Sequence, residues 1–292
     1  MNLVWLTITI ALFLAQTFSM KLQKAPALRQ KLLLNGVSSL LAALALGLLA
    51  VWGPGRFALS APTLWLGALF GALFCMTILF YNLALGAGPM SQTAFYFSSS
   101  MLLPTLAGVL WFGEPARLPQ CLALGLFLAA FYCLNSGQAR TVPASPRWRV
   151  YCALAFLCNG TAAIVQKMQQ AMTGGAQALE LNGVGFASAA LCCGAGCWLL
   201  RKRNPAGGKG PLALLRANLP AVLLLAGGSA GGNALLTFLA GRLPAGYLFP
   251  LVQGSIVVGA AVCATLLFGE RLPPRGKLGL ALGVAAIAVI NL

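Results

Sequence analysis

The tetrapeptide LNGV occurs at residues 34–37 and again at residues 181–184, and both copies open a long apolar run. The tripeptide FGE closes one apolar run at residues 112–114 and another at residues 268–270. The two spacings are 147 and 156 positions, and at the second spacing Asn135 also falls on Asn291 and Leu83-Ala84 on Leu239-Ala240. We therefore predict two repeats, residues 1–136 and 149–292, joined by a linker at residues 137–148 that contains Pro143 and Pro146.

The composition predicts a membrane protein. Of the 292 residues, 60% are apolar and only 8% are charged, which is too little charge for the surface of a soluble protein. Ten runs approach the roughly 20 apolar residues that a helix needs to cross a bilayer. We predict an all-α polytopic chain with ten transmembrane helices, near residues 2–20, 32–52, 62–84, 92–112, 118–136, 149–168, 177–199, 217–239, 244–267 and 276–292.

Five predicted spans per half is an odd number, so the second repeat would lie inverted in the membrane relative to the first. With both termini outside, fifteen of the nineteen basic residues fall in loops on the inner side, as the positive-inside rule requires. We expect this orientation in the cell membrane, with the bilayer as partner. The net charge of +16 does not predict nucleic-acid binding, because it is divided among short loops between apolar spans.

The inventory of reactive residues argues against an enzyme. The chain has no histidine and no aspartate, and its acids are Glu114, Glu180 and Glu270. Hydrolases, metalloenzymes and most acid–base catalysts need clustered His, Asp, Glu or Cys. The nine cysteines all lie in apolar runs, where cysteine behaves as a small buried hydrophobe. We therefore expect no metal, not even at Cys192, Cys193 and Cys197, no cofactor and no disulfide framework.

With its two five-span halves and the FGE motif ending spans 4 and 9, the chain resembles the drug/metabolite transporter superfamily and, within it, the EamA-type carriers. A basic residue follows each FGE, at Arg117 and Arg271, and small polar stretches lead to Lys21 and Lys167 near the ends of spans 1 and 6. The chain departs from the family pattern in lacking Trp-Gly before that lysine and an arginine in span 2. The resemblance implies a ten-helix fold around a central cavity, and transport of small metabolites or amino-acid-like solutes, commonly as export.

Polar residues inside the middle spans are the candidates for a substrate cavity, because polar groups that face lipid would be unsatisfied. Several match across the 156-position spacing, such as Thr77 with Asn233, Tyr81 with Thr237 and Ser99 with Ser255. Helix–helix hydrogen bonding is the alternative for any single residue. The predicted cavity residues are Gln16, Thr77, Tyr81, Tyr96, Ser99, Asn159, Asn233, Thr237, Gln253 and Ser255.

The charged residues and the prolines have competing interpretations. Glu180, four residues into span 7, is either an ion-pair partner of Lys167 or a site for a coupling proton or cation. Glu114 and Glu270 are expected to stabilise the helix N-termini that follow them. Pro104 and Pro250, inside spans 4 and 9, each remove a backbone hydrogen bond and are hinge candidates.

The sequence therefore predicts a carrier that binds a small-molecule substrate at mid-membrane and alternates access between the two sides. The cavity candidates are mostly uncharged, which favours a neutral, zwitterionic or sugar-like solute over a lipophilic cation. A proton-coupled multidrug exporter that uses Glu180 is the main alternative. A membrane enzyme is the other, although the chain offers no catalytic cluster. Homodimer formation is left open.

Overall fold

The computed structural model of the protein describes residues 2–53, 57–136, 145–200, 210–268 and 273–292. Those residues form helices and no strands. The helices of the described ranges are α1 (Asn2–Leu22), α2 (Leu28–Trp52), α3 (Ala61–Ala87), α4 (Met90–Ser99), α5 (Leu102–Leu110), α6 (Leu118–Ser136), α7 (Pro146–Met172), α8 (Ala178–Leu199), α9 (Pro211–Ala217), α10 (Leu219–Ala240), α11 (Ala245–Phe268) and α12 (Pro274–Ile290).

Eight helical segments of the described ranges are long and apolar enough to cross a membrane. One of them, Gln92–Leu110, includes both α4 and α5. The apolar part of α6, Leu118–Leu134, is shorter. The prediction of an all-α chain with many membrane-crossing helices is confirmed, whereas the count of ten spans stays a prediction.

Many large apolar side chains lie on the outside of the protein, and several amides lie inside. Trp52, Leu110 and Leu191 are 81%, 76% and 76% exposed, while Gln169 and Asn182 are 0% exposed. A soluble protein of this size rarely exposes such extensive apolar surface. The distribution fits a chain whose outer surface contacts lipid tails and whose polar groups find partners within the helix bundle.

The described helices form two compact units, and each unit draws on both halves of the sequence. Unit 1 contains the residues up to Leu79 together with Val165–Gly241, and unit 2 contains Phe80–Ile164 and Arg242–Leu292. The helices thus group across the two halves of the sequence. The predicted linker at 137–148 lies largely outside the described residues, and α7 begins within it, at Pro146.

In unit 1, α2 packs along α8, and α1 packs along α10. One copy of LNGV lies on α2 and the other on α8. Each copy contacts the C-terminal half of the other helix. A Cβ atom at Gly36 would lie 3.1 Å from the Cβ atom of Cys193, and one at Gly183 would lie 3.9 Å from that of Leu46. Gly36 therefore faces the residue ten positions after Gly183, and Gly183 faces the residue ten positions after Gly36. The two helices run antiparallel, in a locally two-fold arrangement.

In unit 2, α6 packs along α12, and α11 contacts α5, α6 and α12. Glycines allow these close contacts. A Cβ atom at Gly254 of α11 would lie 2.1 Å from the ring of Phe127 on α6, and one at Gly279 of α12 would lie 2.9 Å from the carbonyl oxygen of Ala130. Small residues at such positions are typical of membrane helix packing, which depends on close van der Waals contact.

The predicted span 92–112 is helical on both sides of a tightened turn at its centre, here called the break, where Ser100 and Met101 keep right-handed helical backbone. α4 ends at Ser99 and α5 begins at Leu102. Pro104 has no N–H to donate to the carbonyl oxygen of Ser100, and the N–H of Leu103 donates to that oxygen instead, at 3.1 Å. Proline alone does not explain the break, because Pro250 lies inside α11 without interrupting it.

Candidate functional site

The predicted cavity residues fall in both units, and each unit is described separately. Unit 1 contains Gln16, Thr77, Asn233 and Thr237, and unit 2 contains Tyr81, Tyr96, Ser99, Asn159, Gln253 and Ser255. Several of them have partners on other helices, as described below. The hydroxyls of Thr77 and Ser99 instead donate to backbone carbonyls of their own helices, those of Leu73 and Phe95. Gln253 and Ser255 are half-buried on α11.

The polar centre of unit 1 is a row of three side chains on α10, which we call the α10 polar ladder. Ser229, Asn233 and Thr237 follow one another at four-residue intervals, so they share one face of the helix. Their exposures are 4%, 7% and 0%. Within the ladder, the Asn233 amide donates to the carbonyl oxygen of Ser229, and the Thr237 hydroxyl donates to that of Asn233.

Two neighbouring helices place amides against the ladder. Nε2 of Gln166 on α7 donates to Oδ1 of Asn233 at 3.3 Å. Nδ2 of Asn182 on α8 donates to Oγ1 of Thr237 at 2.8 Å. The structure thus brings the predicted residues Asn233 and Thr237 together in a buried amide–hydroxyl network.

Some buried oxygens near the ladder accept no hydrogen bond from the described part of the chain: Gln16 Oε1, Asn182 Oδ1 and Ser229 Oγ. Rotating the Asn182 amide would not help, because its Nδ2 already donates to two oxygens, those of Ala178 and Thr237. A buried polar atom without a partner costs about 1–3 kcal/mol. The Gln16 and Asn182 oxygens are acceptors, whereas the Ser229 hydroxyl can donate as well as accept.

At the end of α7, Gln169 and Gln170 organise the turn into α8. Their amides donate to the carbonyl oxygen of Ala176 at 3.1 and 2.9 Å, and Gln169 also donates to Thr63 of α3. The turn contains left-handed backbone at Gly174, Gly175 and Gln177. Sequence analysis missed both glutamines. The signal was the run QKMQQ at residues 166–170, which places three amides in an otherwise apolar chain.

The polar centre of unit 2 lies at the break between α4 and α5. Nδ2 of Asn159 on α7 donates to Oγ of Ser100 at 2.6 Å. A Cβ atom at the next residue, Gly160, would lie 2.8 Å from the carbonyl oxygen of Ser100, so α7 packs directly on the break. The predicted residue Asn159 thus contacts the point where the helix is interrupted.

Aromatic rings flank this centre. The ring of Tyr81 on α3 packs against that of Phe97, with centroids 4.8 Å apart. Tyr96 is 44% exposed and meets Trp148 edge to face. The Trp148 indole donates to the Thr93 hydroxyl at 2.9 Å, which ties the start of α7 to α4.

Two charged side chains bind helix ends. Nζ of Lys167 donates to the carbonyl oxygen of Ala240 at 2.8 Å, at the C-terminus of α10. Oε2 of Glu114 accepts from the N–H of Ala245 at 2.6 Å, at the N-terminus of α11. Both charges have the sign that favours them at these ends of a helix dipole. Glu114 therefore binds the N-terminus of α11, and its expected role at the helix that follows it in sequence stays a prediction.

The other predicted charges are placed as follows. Glu180 lies half-buried in the first turn of α8, where the helix dipole favours a carboxylate. Its predicted pairing or coupling role stays a prediction. Glu270 lies outside the described residues. Among the residues that the structure describes, no group of three or more His, Cys, Asp or Glu side chains is arranged to hold a metal ion.

No protein-family model and no curated protein matches the sequence. A solved crystal structure, described only as that of a protein, is similar to this chain over 100% of its length and 98% of that structure's own length. The TM-score is 0.77 and the sequence identity is 18%. At this identity the likeness shows a shared fold alone, and it extends over essentially the whole of both chains.

Proposed function

We propose that the protein is an integral membrane transporter of small organic solutes that works by alternating access. In this proposal it has ten spans arranged as two inverted repeats, and it belongs with the EamA-type carriers of the drug/metabolite transporter superfamily. Export of a metabolite or amino-acid-like solute across the cell membrane is the activity that best fits the chain.

The observation that carries the proposal is the interrupted helix in the span Gln92–Leu110. The break at Ser100 and Met101 lies at the middle of this apolar span. The backbone there stays right-handed helical and is tightened, with the N–H of Ser100 donating to Phe97 and that of Leu103 donating to Ser100, and tightened turns inside a helix often mark functional hinges. Ser98, Ser99 and Ser100 are all buried there, and Asn159 binds the break.

The local symmetry of α2 and α8 supports the inverted repeat. The repeated tetrapeptide places Gly36 against Cys193 and Gly183 against Leu46, and these two contacts exchange under the spacing of 147 positions. Two copies of one sequence that pack antiparallel in this way are the relationship expected of inverted repeats, whose axis lies in the membrane plane.

The buried polar groups favour a solute with N–H or O–H donors and no net charge. The α10 polar ladder and its neighbours are amides and hydroxyls, with unpaired acceptor oxygens at Gln16 and Asn182 and an unpaired hydroxyl at Ser229. A lipophilic cation would call for a carboxylate within the membrane. Glu180 lies instead in the first turn of α8, where the helix dipole already favours its charge.

The test is solute counterflow in liposomes that contain the purified protein. A panel of amino acids, sugars, nucleosides and quaternary ammonium compounds is loaded inside, and uptake of the labelled solute is measured with and without a proton gradient. We expect counterflow of a neutral or zwitterionic solute, with Asn159→Leu reducing the rate at least tenfold. Asn35→Leu is the matched control, because the Asn35 amide donates to the carbonyl oxygen of Lys31 in its own helix.

Each result of this assay has a clear meaning. A thermal unfolding transition first establishes that the protein is folded. If such protein shows no counterflow for any solute class, the proposal is overturned. Transport restricted to quaternary ammonium compounds and abolished by Glu180→Gln would favour the proton-coupled multidrug exporter instead.

A further inference from the structure

A pair of buried thiols joins α3 to α8 in unit 1. The Sγ atoms of Cys75 and Cys193 lie 3.5 Å apart, within contact distance. Cys75 is 6% exposed and Cys193 is 1% exposed. The two residues are 118 positions apart, and each belongs to a different predicted repeat. They also share one apolar cluster with Leu32 of α2.

The thiols meet because small residues let the backbones of α3 and α8 touch. Gly67, Gly71 and Cys75 follow one another at four-residue intervals on α3, and Gly185, Ala189 and Cys193 do the same on α8. A Cβ atom at Gly71 would lie 1.9 Å from the carbonyl oxygen of Gly185 and 2.8 Å from the backbone nitrogen of Ala189. Cys75 and Cys193 lie one helical turn further along this contact.

That backbone approach is what a disulfide requires. The bond needs Cα atoms about 4.4–6.8 Å apart and sulfurs about 2.05 Å apart. Backbones that are already in contact one turn earlier favour the first condition. Relative to the sulfur separation in the structure, closing the bond needs a shift of roughly 1.5 Å, which side-chain rotation can supply.

We propose that Cys75 and Cys193 form a redox-sensitive thiol pair that closes to a disulfide when the membrane is exposed to a lipid-soluble oxidant of the quinone class. In this step the two S–H bonds break and one S–S bond forms. Two protons and two electrons pass to the quinone, which becomes the quinol. No other reactant is needed.

The apolar surroundings of the two thiols favour an oxidant that dissolves in the membrane. α2 covers Cys193, since a Cβ atom at Gly36 would lie 3.1 Å from the Cβ atom of Cys193, and Leu32 packs against both thiols. A charged oxidant in water would have to enter this apolar cluster. A quinone dissolves in the hydrocarbon, so it meets the helices around this cluster from the lipid side. Cys121, which is exposed, serves as the internal comparison.

The experiment uses the full chain with a protease-recognition sequence inserted in the predicted linker, between Ser136 and Ser145. Proteoliposomes are treated with a short-chain ubiquinone analogue, blocked with a maleimide, cleaved, and separated on a denaturing gel without reductant. We expect the two fragments to stay joined after oxidation and to separate when a reductant is added. Mass spectrometry should then find the peptides of Cys75 and Cys193 linked.

Matched variants make the outcome decisive. Cys75→Ser and Cys193→Ser should abolish the joined band, while Cys192→Ser and Cys121→Ser should leave it unchanged. The wild-type result does not depend on how well any variant folds. Fragments that separate in oxidised wild type, with the maleimide on both Cys75 and Cys193 after denaturation, would overturn the proposal. A link from Cys193 to Cys197 in its place would overturn it as well.

Discussion

The carboxylate of Glu114 accepts a 2.6 Å hydrogen bond from the backbone N–H of Ala245, 131 positions later in the chain. Ala245 is the first residue of α11, and its N–H has no acceptor within that helix. One acidic side chain therefore joins the segment after α5 to the beginning of α11 within unit 2. Gly108 makes room for it, since a Cβ atom there would lie 2.6 Å from the same carboxylate oxygen.

Removing this carboxylate should destabilise unit 2. We expect Glu114→Ala to lower the free energy of unfolding by about 1–3 kcal/mol, because it leaves the Ala245 N–H without its acceptor. Glu114→Gln keeps an acceptor oxygen and loses the interaction of the charge with the helix dipole, which contributes about 0.3–1 kcal/mol. Thermal unfolding in detergent measures both. Equal destabilisation by the two variants would contradict the hydrogen bond as the main contribution.

The contact between α3 and α8 should not tolerate a methyl group at Gly71. We expect Gly71→Ala to cost about 1–3 kcal/mol, the usual range for overpacking a close contact. Gly86→Ala is the matched control on the same helix, because a Cβ atom there meets nothing within 4 Å. Alanine is also the better helix former, so the control should be neutral or slightly stabilising. If the unfolding midpoints of Gly71→Ala and Gly86→Ala shift by the same amount, the contact is looser than described.

The hydrogen bond between Asn182 and Thr237 should appear as a coupling energy. In a double-mutant cycle with Asn182→Leu and Thr237→Val we expect about 0.6 kcal/mol, the average for side-chain hydrogen bonds in membranes. The parallel cycle with Asn35→Leu and Thr237→Val should give no coupling energy, because the Asn35 amide donates to the Lys31 carbonyl oxygen within α2. Reversible unfolding in mixed micelles supplies the four free energies of each cycle. A coupling of equal size in both cycles would rule out a specific bond.

Replacing Pro104 should separate stability from activity. In Pro104→Ala a backbone N–H becomes available to the Ser100 carbonyl oxygen, so only the contacts of Asn159 and Gly160 would maintain the tightened turn. We expect unchanged or increased thermal stability together with a counterflow rate at least fivefold lower. Pro250→Ala is the control, since α11 is already continuous there. Wild-type transport by Pro104→Ala would remove Pro104 from the mechanism.

Much of the helical pattern could be predicted from the sequence, because apolar runs of membrane-spanning length are a strong local signal. The interruption at Ser100 could not be predicted in the same way. Pro104 and Pro250 look alike in sequence, yet only the first lies beside a break. The difference arises from tertiary contacts, in which Asn159 and Gly160 of α7 pack on the break.

The partners of charged residues were harder to predict than the residues themselves. Sequence analysis singled out Glu114 and Lys167, but it linked them to nearby positions. The structure gives each a backbone partner at a distant helix end, Ala245 for Glu114 and Ala240 for Lys167. Such contacts depend on how helices from different parts of the chain pack. No local pattern encodes that packing in a single sequence.

The antiparallel contact of α2 and α8 has a consequence for shorter chains. A surface on which position i meets position j, and j in turn meets i, is complementary to itself. We therefore expect the first 136 residues, expressed alone, to offer through α2 a ready docking face for a second copy that enters the bilayer head to tail. A polypeptide of half the length would then assemble as a dimer whose two copies cross the membrane in opposite directions. Fusion of two such genes would place both copies in one chain.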